Sequence, residues 1–202
     1  MIRMWLTLVP WLIMLAFVAA GLLWSAGDRL AGLGHTVVSG TADVGGPFVL
    51  IDQTGKSRSD KEFRGRYLLV YFGYSFCPDV CPTTLGVVAD TFAKLGARKT
   101  RIVPLFITLD PTRDRPGVLK AYLSSFGPEF VGLTGTPDSI KQTAQEFRVY
   151  YTKHPLPDGG YAIDHTSVLY LMGPDGKFIT YYDDTSLGAD ALAADLRKRM
   201  GG

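Results

Sequence analysis

The chain has 202 residues, 47% apolar, 12% aromatic and 20% charged, a composition that fits a globular body and not a disordered one. Its 21 Lys and Arg against 19 Asp and Glu leave a formal charge of +2, too balanced to bind nucleic acid by neutralising phosphates. With 2 cysteines and 3 histidines, a disulfide-dense scaffold and a multi-zinc module are excluded, and a single small metal or redox site is still open to the chain.

Residues 4–24 read MWLTLVPWLIMLAFVAAGLLW, with Thr7 the only polar side chain and no charge. At about 1.5 Å per residue such a helix crosses a hydrocarbon core of about 30 Å. Trp5 and Trp24 sit near its ends, where interfacial aromatics are favoured, and Pro10 is tolerated in its first turns. A cleaved signal peptide is the competing reading, with Arg3 as a weak basic region and Val18-Ala19-Ala20 as a cleavage site. The apolar run continues through Leu22, Leu23 and Trp24, beyond a usual signal core, which favours an uncleaved transmembrane anchor over residues 1–25. No cysteine ends the run, so a lipoprotein anchor is not expected. Arg3 and the N-terminal amine favour a cytoplasmic N-terminus. The expectation is a single-pass protein of the cytoplasmic (inner) membrane, its C-terminal domain in the periplasm or an equivalent oxidising compartment. Residues 26–45, rich in Gly, Ala and Ser and without periodicity, read as a tether, and 46–202 as the domain it holds.

Within that domain, 48–51 reads as a short strand followed by a turn at Asp52-Gln53-Thr54-Gly55. Residues 67–72 (YLLVYF) form an apolar run suited to a central strand covered on both faces. A helix is expected over 82–95, a second buried strand over 101–109 and a helix over 117–126. Thr136-Pro137 opens another helix, with Thr as N-cap and Pro at the first helical position. Strands are expected over 149–152 and 167–172, and Pro174-Asp175-Gly176 turns the latter into a hairpin with 178–182. A last amphipathic helix runs from Ser186 to Met200 and ends at Gly201. Strand–helix–strand, then helix and hairpin, is the order of an α/β thioredoxin-like domain: a central mixed sheet flanked by helices.

Tyr71-Phe72-Gly73-Tyr74-Ser75-Phe76-Cys77-Pro78-Asp79-Val80-Cys81-Pro82-Thr83 leads from the first central strand into the first helix. Pro82 disfavours helical geometry at Cys81 and itself suits the first helical position, so Cys81 is expected at the N-cap and Cys77 in the loop before it. Free N–H groups and the helix dipole there would stabilise thiolate on both. Such a pair suits reversible disulfide chemistry and equally a soft ion such as Cu(I). A static disulfide is the inert alternative. A loop that short gains little from closure, and a strand–helix junction is where α/β folds place their sites.

C-x-x-x-C leaves the choice between metal and disulfide to a third ligand. His35 falls in the tether and His154 in Lys153-His154-Pro155-Leu156-Pro157-Asp158-Gly159, and both read as solvated. His165 differs, because Tyr161-Ala162-Ile163-Asp164-His165-Thr166-Ser167 runs into a strand as a loop that a thioredoxin-like fold packs beside the cysteine junction. Thioredoxins usually place a cis-proline there; this chain has none. His165 is a candidate imidazole for the thiolate pair and Asp164 a carboxylate to orient it, with a satisfied loop histidine as the alternative. After the second central strand, the Asp and Arg side chains of Thr108-Leu109-Asp110-Pro111-Thr112-Arg113-Asp114 are expected to pair with each other and fix the loop, with a docking surface as the other reading. Tyr74 and Phe76 beside the cysteines read as core or rim aromatics, or as a shield for the site.

YFGYSFCPDVCPTTL, LDPTRDRPGVLKAYLSSFGPEFVGLTGTP and IDHTSVLYLMGPDGKF closely resemble the Sco/SenC family of membrane-anchored copper proteins, over about residues 41–200. The resemblance implies one copper ion, Cu(I) or Cu(II), bound by Cys77, Cys81 and His165. It further implies assistance to the Cu(A) centre of cytochrome c oxidase. Its partners would be the oxidase subunit that carries that centre and, as a source of metal, another copper donor protein. Two functions follow: a copper chaperone, or a membrane-tethered thiol–disulfide reductase acting on the cysteine pair of the oxidase subunit. The second needs Cys77 and Cys81 but not His165. A peroxidase of the same fold is discounted, since Pro-x-x-x-[Ser/Thr]-x-x-Cys precedes neither cysteine.

Overall fold

The apolar run after Arg66 becomes strand β3 (Tyr67–Gly73), the centre around which the domain is built. The computed structural model describes residues 43–157, 159–183 and 188–201. The expected anchor, the tether before residue 43, His35 and Ser186 lie outside them. Among the described residues no helix is long and apolar enough to cross a membrane.

Strand β1 (Val49–Asp52) and β2 (Ser57–Ser59) form a hairpin ahead of β3, and helix α1 (Val80–Leu95) follows it. Next come β4 (Ile102–Thr108), α2 (Pro116–Leu123), β5 (Val131–Thr134) and α3 (Pro137–Glu146). The second half holds β6 (Tyr151–Pro155), β7 (Tyr161–His165), β8 (Val168–Met172), β9 (Phe178–Asp183) and α4 (Ala189–Arg199). Seven strands make one sheet in the order β2-β1-β5-β4-β3-β8-β9, and β6 with β7 makes a separate two-stranded sheet. β3 runs parallel to β4 and β4 to β5, while β8 lies antiparallel to β3 and β9 to β8. The expected core, β3-α1-β4 followed by the β8–β9 hairpin and α4, is present, and β5, β1 and β2 widen it.

The alternation of side chains along a strand divides the interior in two. Leu69 and Tyr71 of β3 and Phe106 of β4 pack with Leu85, Val88 and Phe92 of α1, Leu119 of α2 and Leu192 and Leu196 of α4. Leu68, Val70 and Phe72 turn the other way, onto Val103, Leu105, Ile107 and Ile140 and Ala144 of α3. Both faces of β3 are therefore covered, as its unbroken apolar sequence requires.

Several boundaries differ from the sequence reading. α1 starts at Val80 with Asp79 as N-cap, so Cys81 is the second helical residue. A proline in the first helical turn lacks only an N–H that would have no partner in the helix, so Pro82 does not delay the start. α2 stops at Leu123, with Gly127 at φ +134° and Pro128 soon after. β5 was hidden by its length and by Gly132, where a Cβ would stand 2.4 Å from the Leu123 side chain; the glycine lets α2 lie close on the sheet. The segment read as a loop over 161–167 is largely strand β7, and β6 extends to Pro155, so His154 is also in a strand. Thr136 does cap α3, its hydroxyl accepting from Ser139 N at 3.1 Å, and Gly201 takes φ +81° just past α4.

Candidate metal and thiol site

The carboxyl end of β3 delivers the chain to the site at Gly73, whose carbonyl accepts from Leu109 N at 2.7 Å. A Cβ on Gly73 would stand 2.8 Å from Cys81 Sγ, so the glycine opens the space in which that sulfur is buried. Cys77 lies in the loop, half-buried, and Cys81 is wholly enclosed; both are free thiols. The Cys81 N–H donates to Cys77 Sγ at 3.5 Å, so a first-turn donor of α1 is satisfied by the other cysteine's sulfur.

His165, the last residue of β7, brings Nε2 to 3.6 Å from Cys81 Sγ. Its Nδ1 lies 3.0 Å from the Thr166 carbonyl oxygen, a partner that can only accept, so Nδ1 carries the proton and Nε2 presents its lone pair to the sulfur. The rings of Tyr71 and Tyr74 stand edge-on to the imidazole, each 6.2 Å away between centroids. Asp164 does not orient it. Neighbouring residues of a strand point to opposite faces, and Asp164 turns outward to pair with His154 Nε2 at 3.0 Å. The main chain at Thr166 does what was expected of the carboxylate.

The two thiols do not titrate alike. The Cys77 thiol is pushed well down, by its hydrogen bond with the Cys81 thiol against the opposing effect of burial, and by the N–H groups of Cys81 and Asp79. Cys81 is pushed up by the same bond to Cys77 and by burial. The expectation that the helix terminus would stabilise thiolate on both is thus met at Cys77 only. One negative charge is held between the sulfurs, and the bond to Cys77, with the enclosure of Cys81, opposes a second.

Two buried carboxylates brace the loops. Asp114 accepts from Ser75 N at 2.9 Å, from the Ser75 hydroxyl and from Thr108 Oγ1 at 2.6 Å, tying the β4–α2 loop to the cysteine loop. An Asp–Arg pairing within this loop was expected, and it is Asp110 that takes Arg113; Asp110 also accepts from Tyr161 OH at 2.8 Å. The Arg113 guanidinium lies 3.9 Å from the Tyr161 ring centroid, 4.8 Å from that of Phe76 and 5.7 Å from that of Tyr74. Tyr74 is buried and Phe76 is 58% exposed, so the first is core and the second rim. Sequence reasoning did not single out Gly73 or Tyr161. A glycine ending an apolar strand just before a cysteine pair was a usable signal for the first; nothing local marked the second.

Cys77, Cys81 and His165 thus converge at one end of the sheet, with Cys81 touching the other two. Among the described residues no group of three or more His, Cys, Asp or Glu is already set to hold an ion. Two sulfurs and an imidazole nitrogen suit a soft monovalent ion of low coordination number, or reversible dithiol chemistry.

A dithiol at the strand–helix junction of a mixed sheet, faced by a histidine ahead of the antiparallel hairpin, defines a thioredoxin-like domain with a C-x-x-x-C site. Residues 37–201 match the family model described as SCO1/SenC. The chain belongs to the SCO1/SenC family. It is 42% identical over 160 residues to the human mitochondrial protein SCO1 homolog, an alignment covering 78% of this chain and 53% of that one. The chain thus spans about half the length of that relative. Bradyrhizobium japonicum ScoI, solved with copper bound, superposes with a TM-score of 0.73 at 42% identity, covering 77% of this chain and 98% of the other. Yeast Sco1, also solved with copper bound, gives 0.73 at 37% identity, covering 78% and 88%.

Proposed function

We propose that this protein carries one copper(I) ion on Cys77 Sγ, Cys81 Sγ and His165 Nε2 and assists the assembly of the Cu(A) centre of cytochrome c oxidase. The observation that carries the reading is His165: its Nδ1 is committed to the Thr166 carbonyl and its Nε2 stands 3.6 Å from a buried sulfur. A histidine kept only for packing needs no free lone pair aimed at a thiol. Binding draws the half-exposed Cys77 sulfur toward the same point and displaces the remaining thiol proton. The ion is cargo: three ligands leave room for a partner's thiolate to join and take it over. Oxidation of the thiolate–thiol pair of Cys77 and Cys81 to a disulfide passes two electrons to an oxidant such as a partner's disulfide and releases the remaining thiol proton. It removes two ligands, so occupancy follows redox state. Membership in the family and the copper-bound relatives support the choice of metal. An anchor over 1–25 and a tether over 26–45 would keep the domain beside a membrane-embedded oxidase.

The test is anaerobic titration of the reduced protein with copper(I). One ion per chain is expected, held much more weakly by His165→Ala. Equal affinity in that variant sinks the three-ligand site.

A second reading, thiol–disulfide reduction of the oxidase subunit, is favoured by the stacking of the cysteines, Cys77 half-exposed in front and Cys81 enclosed behind it. Cys77 would attack the target disulfide and Cys81 would resolve the mixed disulfide, passing two electrons to the target. Oxidase activity in cells separates the two. Full rescue by His165→Ala with failure of Cys77→Ser favours reduction, and failure of both favours copper transfer.

A further inference from the structure

His165 belongs to the β6–β7 hairpin, which is not part of the seven-stranded sheet. Its placement against Cys81 therefore depends on side chains that fasten the hairpin to the cysteine platform. Ile163 of β7 is buried in the core and Lys153 Nζ of β6 lies 3.7 Å from Asp110 Oδ1; beyond these, the polar ties of the hairpin to the platform are few among the described residues. Ile163 N donates to Tyr74 OH at 3.3 Å. The rest pass through Tyr161: its hydroxyl donates to Asp110 Oδ1 at 2.8 Å, its carbonyl accepts from Arg113 Nη1 at 3.1 Å, and its ring lies under the Arg113 guanidinium at 3.9 Å. Asp110 is fully buried, and its backbone N–H is bonded to Thr108 Oγ1 at 2.8 Å. The Thr108 hydroxyl in turn donates to Asp114, which grips Ser75 in the cysteine loop.

We infer that Tyr161 is a positioning residue that fixes the orientation of the His165 imidazole toward the cysteine pair. Tyr161, Ile163 and His165 alternate along β7 and so face the same way, while Asp164 between them faces out, 80% exposed. Any roll of the strand about its axis turns Tyr161 and His165 together. The Tyr161–Asp110 bond resists that roll from the far end of the strand, and the Thr166 carbonyl resists it beside the histidine. This rests on the proposed copper-binding reading for its consequence, but not for its geometry.

Tyr161→Phe removes the bond to Asp110 and keeps the ring under Arg113. In the reduced, metal-free protein it is expected to move the His165 ring-proton resonances, which sense the edges of Tyr71 and Tyr74. Copper(I) affinity is expected to fall about tenfold, the size typical of losing an outer hydrogen bond that orients a ligand. Tyr161→Ala, which also removes the stacked ring, is expected to lose more of both. Tyr150→Ala, a change at an 81% exposed side chain, is expected to alter neither. Unmoved His165 resonances in Tyr161→Phe overturn the inference, whether or not affinity falls. A wild-type protein that takes up no copper(I) defeats the proposed function, and the ring-proton measurement then judges Tyr161 by itself.

Discussion

Gly73 shows how much of the site depends on one missing methyl group. Its φ is ordinary, so the requirement is space: any Cβ meets Cys81 Sγ at 2.8 Å and the Phe106 ring at 3.1 Å. Gly73→Ala must push the sulfur or the ring out of a filled pocket, at a cost of about 1–3 kcal/mol. Urea unfolding of the variant is expected to show that loss, and copper(I) affinity to fall with it because Cys81 is the sulfur that moves. Cys77 and Cys81 also differ in access. Iodoacetamide is expected to label Cys77 first in the reduced protein, and equal labelling rates would show that Cys81 is less enclosed than its burial implies.

At the scale of the element, buried polar groups hold the loops that carry the chemistry. Asp114 is wholly enclosed and accepts only from donors, so Asp114→Asn turns an amide N–H toward Ser75 or Thr108. A stability loss of about 1–3 kcal/mol is expected in urea titration, with the larger share from loosening the cysteine loop. Asp52 does the same for the β1–β2 hairpin. Burial pulls its carboxyl up, but bonds from Thr54 Oγ1 at 2.6 Å, Lys56 N at 3.1 Å and Thr54 N at 2.8 Å, with the charge of Arg58, hold it below its ordinary value. A lowered carboxyl stabilises the fold above its unfolded pKa and loses that contribution as the pH falls through the folded value. The stability gap between wild type and Asp52→Asn is therefore expected to be full at neutral pH and to close below about pH 4. Elements with strong local pattern were legible in advance: the apolar run of β3, the Thr-Pro cap of α3 and the Pro-Asp-Gly turn into β9. β7 was not, because Tyr-Ala-Ile-Asp-His alternates an inward histidine with an outward aspartate, and only the docked hairpin shows which is which.

For the whole molecule, the sheet order explains why a histidine distant in sequence reaches the cysteine loop. β8 pairs antiparallel with β3, so the segment entering β8 arrives at the end of the sheet that β3 leaves. That relation was readable once the fold was inferred, and so were Cys77, Cys81 and His165 as a group. The contact of Asp164 with His154 and the bond from Tyr161 to Asp110 depend on strand register and loop packing, which no local spacing encodes. The most direct measurement of the proposed site is X-ray absorption at the copper edge of the reduced protein loaded with copper(I). Two sulfur neighbours and one imidazole nitrogen around each ion are expected. A shell of sulfur alone, or copper that washes off the reduced wild-type protein, would contradict the site built from Cys77, Cys81 and His165.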